Sequence, residues 1–173
     1  MLTRKNCTAL VMATLLTACA THPTGPSATA QLAATKGNTA TGSVQFIQLP
    51  GKVLVRGEVH GLQPNAVHGF HIHEKGDCSS GDGLSAGGHF NPGGHAHGAA
   101  SGPMHHAGDL PSLQADASGS AKINFETTDL AVGSGPNDVA GRGLIVHKDP
   151  DDFTTQPTGN SGARLACAVI TKN

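Results

Sequence analysis

At 173 residues, 37% of them hydrophobic, the chain has the length for one domain with a proper core, and no internal repeat points to a second. Eleven Lys and Arg against twelve Asp and Glu give a formal charge of −1, which argues against nucleic acid as a partner.

The chain opens like a secretory leader, with Arg4 and Lys5 as a positive start and a short apolar stretch at 9–16 that is too short to span a bilayer. Leu16-Thr17-Ala18-Cys19 then resembles a bacterial lipobox, in which Cys19 is lipidated and becomes the first residue of the mature chain. An ordinary signal peptide with an incidental cysteine is the alternative. The expected division is a lipoprotein-type signal peptide at 1–18, a tether at 19–27 and a folded domain at 28–173. The tether contains His-Pro-Thr-Gly-Pro-Ser, which cannot bury a core. Cleavage before Cys19 removes two basic residues, leaving nine against twelve acidic ones and a charge of −3. The expected location is the periplasm, with the protein held at a membrane by its lipid anchor. Of four cysteines, Cys7 leaves with the leader and Cys19 carries lipid, so Cys78 and Cys167 remain as an even pair in an oxidising compartment. A bridge between them closes a long loop and is worth roughly 4 to 5 kcal/mol in the chain-entropy model. Two buried free thiols are the alternative.

From 28 onward, short segments rich in Val, Ile, Thr and Phe at alternate positions are separated by glycine turns. The pattern predicts a strand near 30–34, a hairpin formed by the Val44/Phe46 stretch and 53–59 around Pro50-Gly51, and a strand at 67–74. It also predicts a second hairpin from 113–115 and 121–125 around Ser118-Gly119, and final strands at 143–148 and 163–171. About eight strands fit a closed or sandwiched antiparallel sheet. Two long stretches, 76–106 and 149–162, are not strands, and loops of that length are functional or disordered.

Histidine chemistry decides between those two. In Gly69-Phe70-His71-Ile72-His73 the two imidazoles share one strand face, about 7 Å apart along the chain, while Phe70 and Ile72 share the other. The first long loop adds His89, His95, His97, His105 and His106, joined by Asp109. Imidazoles with one carboxylate suit copper and zinc, and the lack of a local thiolate cluster argues against iron–sulfur or a cysteine-type zinc site.

Five blocks, in order, resemble the copper/zinc superoxide dismutase family: Gly69-Phe70-His71-Ile72-His73-Glu74-Lys75-Gly76-Asp77-Cys78, Gly88-His89-Phe90-Asn91-Pro92, His106-Ala107-Gly108-Asp109-Leu110, Leu144-Ile145-Val146-His147 and Gly159-Asn160-Ser161-Gly162-Ala163-Arg164-Leu165-Ala166-Cys167. The resemblance implies an eight-stranded antiparallel Greek-key β-barrel of sandwich architecture with two long functional loops. It implies one copper ion held by His71, His73, His89 and His147, and one structural zinc ion held by His89, His97, His106 and Asp109. His89 bridges the two ions, and in the family it opens from reduced copper and holds a proton. Asp151 aligns with the carboxylate that links a copper-ligand imidazole to a zinc-ligand imidazole, a solvated charge run being the alternative. The pair Cys78 and Cys167 matches the family's bridge, and Arg164 stands where the family attracts and orients superoxide.

His97 is preferred to His95 because it stands eight residues after His89 and precedes Gly98, and His106 is preferred to His105 because His106-Ala107-Gly108-Asp109 has the family spacing. His95 and His105 are then expected to face solvent, and His68 resembles a structural histidine that ties loops to the barrel. His22 and His60 carry no assignable chemistry. Unlike animal members, the loop after His147 lacks a lysine and glutamate run, so the family's steering strength does not carry over. Oligomeric state stays open, a homodimer included, since animal and bacterial members use different dimer faces. The rival reading is a copper carrier on the same barrel, but such relatives lose a copper histidine or the arginine, and this chain keeps both.

Overall fold

A computed structural model describes residues 25–173. The leader, Cys19 and the tether up to residue 24 lie outside the described residues. Nine strands are present and no α-helix is among the described residues: β1 Ser27–Ala34, β2 Thr41–Leu49, β3 Lys52–His60, β4 Val67–His68, β5 Phe70–His73, β6 Leu113–Gln114, β7 Ala121–Thr127, β8 Gly143–His147 and β9 Arg164–Lys172. Seven of them form one curled antiparallel sheet in the order β5-β8-β9-β1-β2-β3-β7, and β4 pairs with β6 beside it. This is the expected all-β barrel architecture.

Alternation explains the core. Ala28, Ala30 and Leu32 of β1, Val44 and Phe46 of β2, and Val53, Val55 and Val59 of β3 all point inward and are buried. Register brings them together, with Ala30 opposite Val44, and Phe46 opposite both Ala28 and Val55. The hairpin predicted from the Val44/Phe46 stretch and 53–59 is formed by β2 and β3 and turns at Pro50 and Gly51, where Gly51 takes a φ of 75° that a side chain would resist.

Three features depart from the sequence pattern. The predicted strand at 67–74 is two strands, because the chain changes partner at Gly69: His68 pairs with Leu113, whereas Phe70 pairs with Val146. A side-chain carbon at Gly69 would lie 2.7 Å from Ser161 Oγ, so the corner is open to glycine alone. The second predicted hairpin is a turn without a ladder. Asp116 Oδ1 accepts hydrogen bonds from the N–H groups of Ser118 and Ser120, but β6 then pairs with β4 and β7 with β3. Finally, residues 128–142 between β7 and β8 form a third long irregular segment that the alternation did not mark.

The Cys78–Cys167 disulfide is formed, with Cα atoms 5.9 Å apart, and it fastens the loop after β5 to β9.

Candidate metal centre

Strand β5 is the ruler of the site. Its backbone continues antiparallel pairing with the first long loop: Phe90 N–H donates to Ile72 O at 2.8 Å, and Ile72 N–H to Gly108 O at 2.9 Å. These bonds set His89 opposite His73 and Asp109 opposite His71. Strand β8 lies on the other edge and ends at His147. Local pairing thus carries ligands from four stretches of chain into one place.

Two buried groups result, His71, His73, His89 and His147 in one and His89, His97, His106 and Asp109 in the other, with the donor atoms of each group within 4.8 Å of one another. Every side chain expected as a ligand is therefore brought together. His95 is exposed, as expected. His105 is not simply solvated, because its side chain is 14% exposed and faces Asp129. His68 is buried with Nδ1 2.9 Å from the carbonyl of His147, a tie between loop and barrel. Outside both groups, His60 Nδ1 lies 3.1 Å from Ser120 Oγ.

Proton positions follow from the acceptors. A carbonyl or an ionised carboxylate only accepts, so the ring nitrogen facing one must carry the hydrogen. His73 Nδ1 lies 2.9 Å from Gly87 O and His147 Nδ1 3.3 Å from Gly162 O, leaving both Nε2 atoms as lone pairs. Asp151 takes His71 Nε2–H at 2.6 Å and His97 Nε2–H at 2.9 Å, leaving both Nδ1 atoms as lone pairs. His89 turns Nδ1 to the second group, 2.7 Å from Asp109 Oδ1 and 3.4 Å from His106 Nδ1.

The lone pairs then face one another. His73 Nε2 and His147 Nε2 are 3.4 Å apart with neither free to donate, and His97 Nδ1 stands 3.1 Å from Asp109 Oδ2. His71 Nδ1, His89 Nε2 and His97 Nδ1 are buried without a hydrogen-bond partner among the described residues. Buried acceptors facing acceptors are costly unless a cation lies between them. Two ligands on one tetrahedral zinc ion stand about 3.4 Å apart. The donor types and spacing therefore fit metal ions in both groups.

Electrostatics keep these donors open. Burial lowers the His71 pKa to about 4 against the pull of Asp151, and burial with repulsion from His71 lowers His147 to about 3. Burial likewise takes His73 well below its usual value, helped by His89 and Arg164, and lowers His106. Burial alone would raise Asp109, yet hydrogen bonds from His89 and the His106 N–H hold it well below the carboxylate range. Asp151 is lowered despite burial by bonds from His71, Phe153 N–H and His97.

Arg164 reaches over the same rim. Its Nη1 donates to Gly83 O at 2.6 Å and its Nη2 to Gly87 O at 2.7 Å, so Gly87 O holds both the guanidinium and His73. Sequence reasoning missed Gln156, whose side chain bonds both the N–H and the carbonyl of His97 at 2.9 Å. It missed the carbonyls of Gly83, Gly87 and Gly162 too, since a backbone oxygen leaves no signal in the residue type.

The family model for copper/zinc superoxide dismutase (SODC) matches residues 40–170. The chain belongs to the copper/zinc superoxide dismutase family. A Cu-Zn superoxide dismutase of Paramecium bursaria Chlorella virus 1 is 41% identical over 135 residues, covering 75% of this chain and 71% of that relative. Another from Onchocerca volvulus is 40% identical over 152 residues, covering 80% of this chain and 93% of the relative. The crystal structure of the clock protein EA4 superposes with a TM-score of 0.77 at 39% identity, over 86% of this chain and 96% of that one. The protein is a superoxide dismutase whose cofactors are copper and zinc.

The histidine shifts predict how the metal-free dismutase responds to acid. His71 binds its proton near 6.5 when unfolded and near 4 when folded, so between those values the unfolded chain holds more protons. Stability is then full above about pH 6.5 and is lost as pH falls through about 4. Thermal unfolding of the metal-free protein should show Tm falling across that window, and a flat Tm would mean that these imidazoles are not buried neutral.

Proposed function

We propose that His71, His73, His89 and His147 hold copper, that His89, His97, His106 and Asp109 hold zinc, and that the enzyme works as an exported, lipid-anchored protein. The observation that carries the metal assignment is the position of His89, which belongs to both groups and has one ring nitrogen for each. The all-nitrogen group suits copper. Three nitrogens and a carboxylate oxygen suit a closed, structural zinc site. Asp151 acts on both groups by fixing the protons of His71 and His97.

Bound copper supplies the one-electron chemistry, in which one superoxide gives up an electron and leaves as O2 and a second gains it and leaves as H2O2 with two protons. The chain supplies the rest. The guanidinium of Arg164 keeps donors beyond the two that grip Gly83 and Gly87, and its fixed positive charge attracts and orients a small anion. His89 has one nitrogen without a protein partner, where a proton can be held and passed on.

Export is supported by the lipobox-like Leu16-Thr17-Ala18-Cys19 and by the Cys78–Cys167 disulfide, which suits an oxidising compartment. Periplasmic location at a membrane follows from that reading.

Metal analysis beside a superoxide-consumption assay tests the whole proposal, with one copper and one zinc per active chain expected. Within it, His97→Ala should lose zinc while keeping copper, and His95→Ala should lose neither. Zinc loss in His95→Ala would overturn the assignment. Arg164→Ala should keep both metals yet lose at least about tenfold in activity, or 1.4 kcal/mol of barrier stabilisation. Arg164→Lys should recover part of it, and full activity in Arg164→Ala would remove the role given to this side chain. Cys19→Ser should release the protein from membranes, and identical fractionation of mutant and parent would rule out the anchor.

A further inference from the structure

The stretch that delivers His97 has no strand to lean on. Between residues 95 and 98 no backbone group bonds to another backbone group among the described residues, and side chains take their place. Asn91 holds the His95 backbone, donating to its carbonyl at 2.8 Å and accepting its N–H at 3.0 Å. Asp109 Oδ2 accepts the Gly98 N–H at 3.2 Å. His97 is held from farther away: Gln156, in the second long loop, accepts its N–H on Oε1 and donates from Nε2 to its carbonyl, both at 2.9 Å.

The same turn holds the ring. Asp151 accepts His97 Nε2–H at 2.9 Å, so the backbone and the imidazole of one residue are both tied to the 151–156 segment. Asp152 closes that segment: its Oδ1 accepts the N–H groups of Thr154 at 2.9 Å and Thr155 at 2.8 Å, and its Oδ2 the Thr155 hydroxyl at 2.6 Å. Its own N–H donates to Gly159 O at 3.0 Å, and the Gly159 N–H to Thr155 O at 2.7 Å. A turn so cross-bonded keeps its carboxylate and its amide at a fixed separation. Pinned at Nε2 alone, the His97 ring could still swing as its backbone shifts. With both ends pinned, the buried Nδ1 lone pair keeps one direction, 3.1 Å from Asp109 Oδ2. His95 has a backbone clamp, but its side chain is exposed.

We infer that Gln156 is a positioning residue for zinc: its amide fixes the His97 backbone, Asp151 then aims the ring, and the second long loop thereby presents His97 to the zinc group. The inference rests on the zinc assignment proposed above and adds a residue that is not itself a ligand. An amide suits the task because it carries an acceptor and a donor side by side, matching the N–H and the carbonyl of one residue. A carboxylate would match the N–H alone.

The test is zinc release from the copper- and zinc-loaded dismutase into excess chelator, with Co²⁺ in the zinc position as a spectroscopic reporter. Gln156→Ala should release zinc at least about tenfold faster than the parent and shift the Co²⁺ spectrum away from its tetrahedral form, with copper content unchanged. Gln156→Met, which keeps the length and loses both bonds, should match Gln156→Ala. Gln156→Glu should fall between them and the parent, because it still accepts the His97 N–H. Asn91→Ala, which removes the same pair of bonds two residues earlier, should leave release and spectrum as in the parent. Gln156 is exposed, so none of its variants opens a hole in the core. If Gln156→Met holds zinc as the parent does, the side chain acts by bulk and the inference fails. It fails equally if Asn91→Ala loosens zinc as much as Gln156→Ala, since any brace on the loop would then serve. A parent without zinc would sink the assignment and the inference together, whereas a zinc-bearing parent unmoved by Gln156→Ala would sink the inference alone.

Discussion

The Asp151 carboxylate accepts His71 Nε2–H and His97 Nε2–H, and through those two bonds it aims one lone pair into each buried group. A neutral imidazole is a ligand on one side and a donor on the other, so a metal group in a dry site depends on what sits behind each ring. Asp151 serves two rings with one charge. Its place is fixed by Phe153 N–H, which donates to Oδ1 at 2.7 Å, and by Gly159 at a φ of 68°, where a side chain would collide with the carboxylate. The second long loop exists, in physical terms, to hold this carboxylate behind two imidazoles.

Carbonyl oxygens complete the same task for the remaining rings of the all-histidine group. Gly87 O and Gly162 O orient His73 and His147, and Gly87 O also grips Arg164, so a fixed positive charge and a ring of the all-histidine group share one acceptor. The segment bearing Gly83 and Gly87 is tied to β9 twice, by Arg164 and by the Cys78–Cys167 disulfide. Shape at the rim is thereby set by covalent and charged contacts to a strand of the barrel. A loop with so little apolar content could not hold that shape by packing alone.

Both buried groups leave acceptors facing acceptors, which makes the loops' order depend on a cation. Inside the two groups, an unshielded lone pair has nothing but an ion to meet.

From the sequence by itself came the ligand chemistry, the pairing of His71 with His73 on one strand face, the hairpin around Pro50-Gly51, and the choice of His97 and His106 over their neighbours by family spacing. These are legible because alternation and ligand type are properties of residues and short intervals. Tertiary structure alone decided that the strand at 67–74 breaks at Gly69, that β6 and β7 part after their turn, and that His105 turns to Asp129 from the unmarked 128–142 segment. It alone placed Gln156 on His97 and chose which nitrogen of each ring is free. The reason is that partner choice and proton position depend on which carbonyl or carboxylate the folded chain brings near, and a backbone carbonyl is the same atom in every residue.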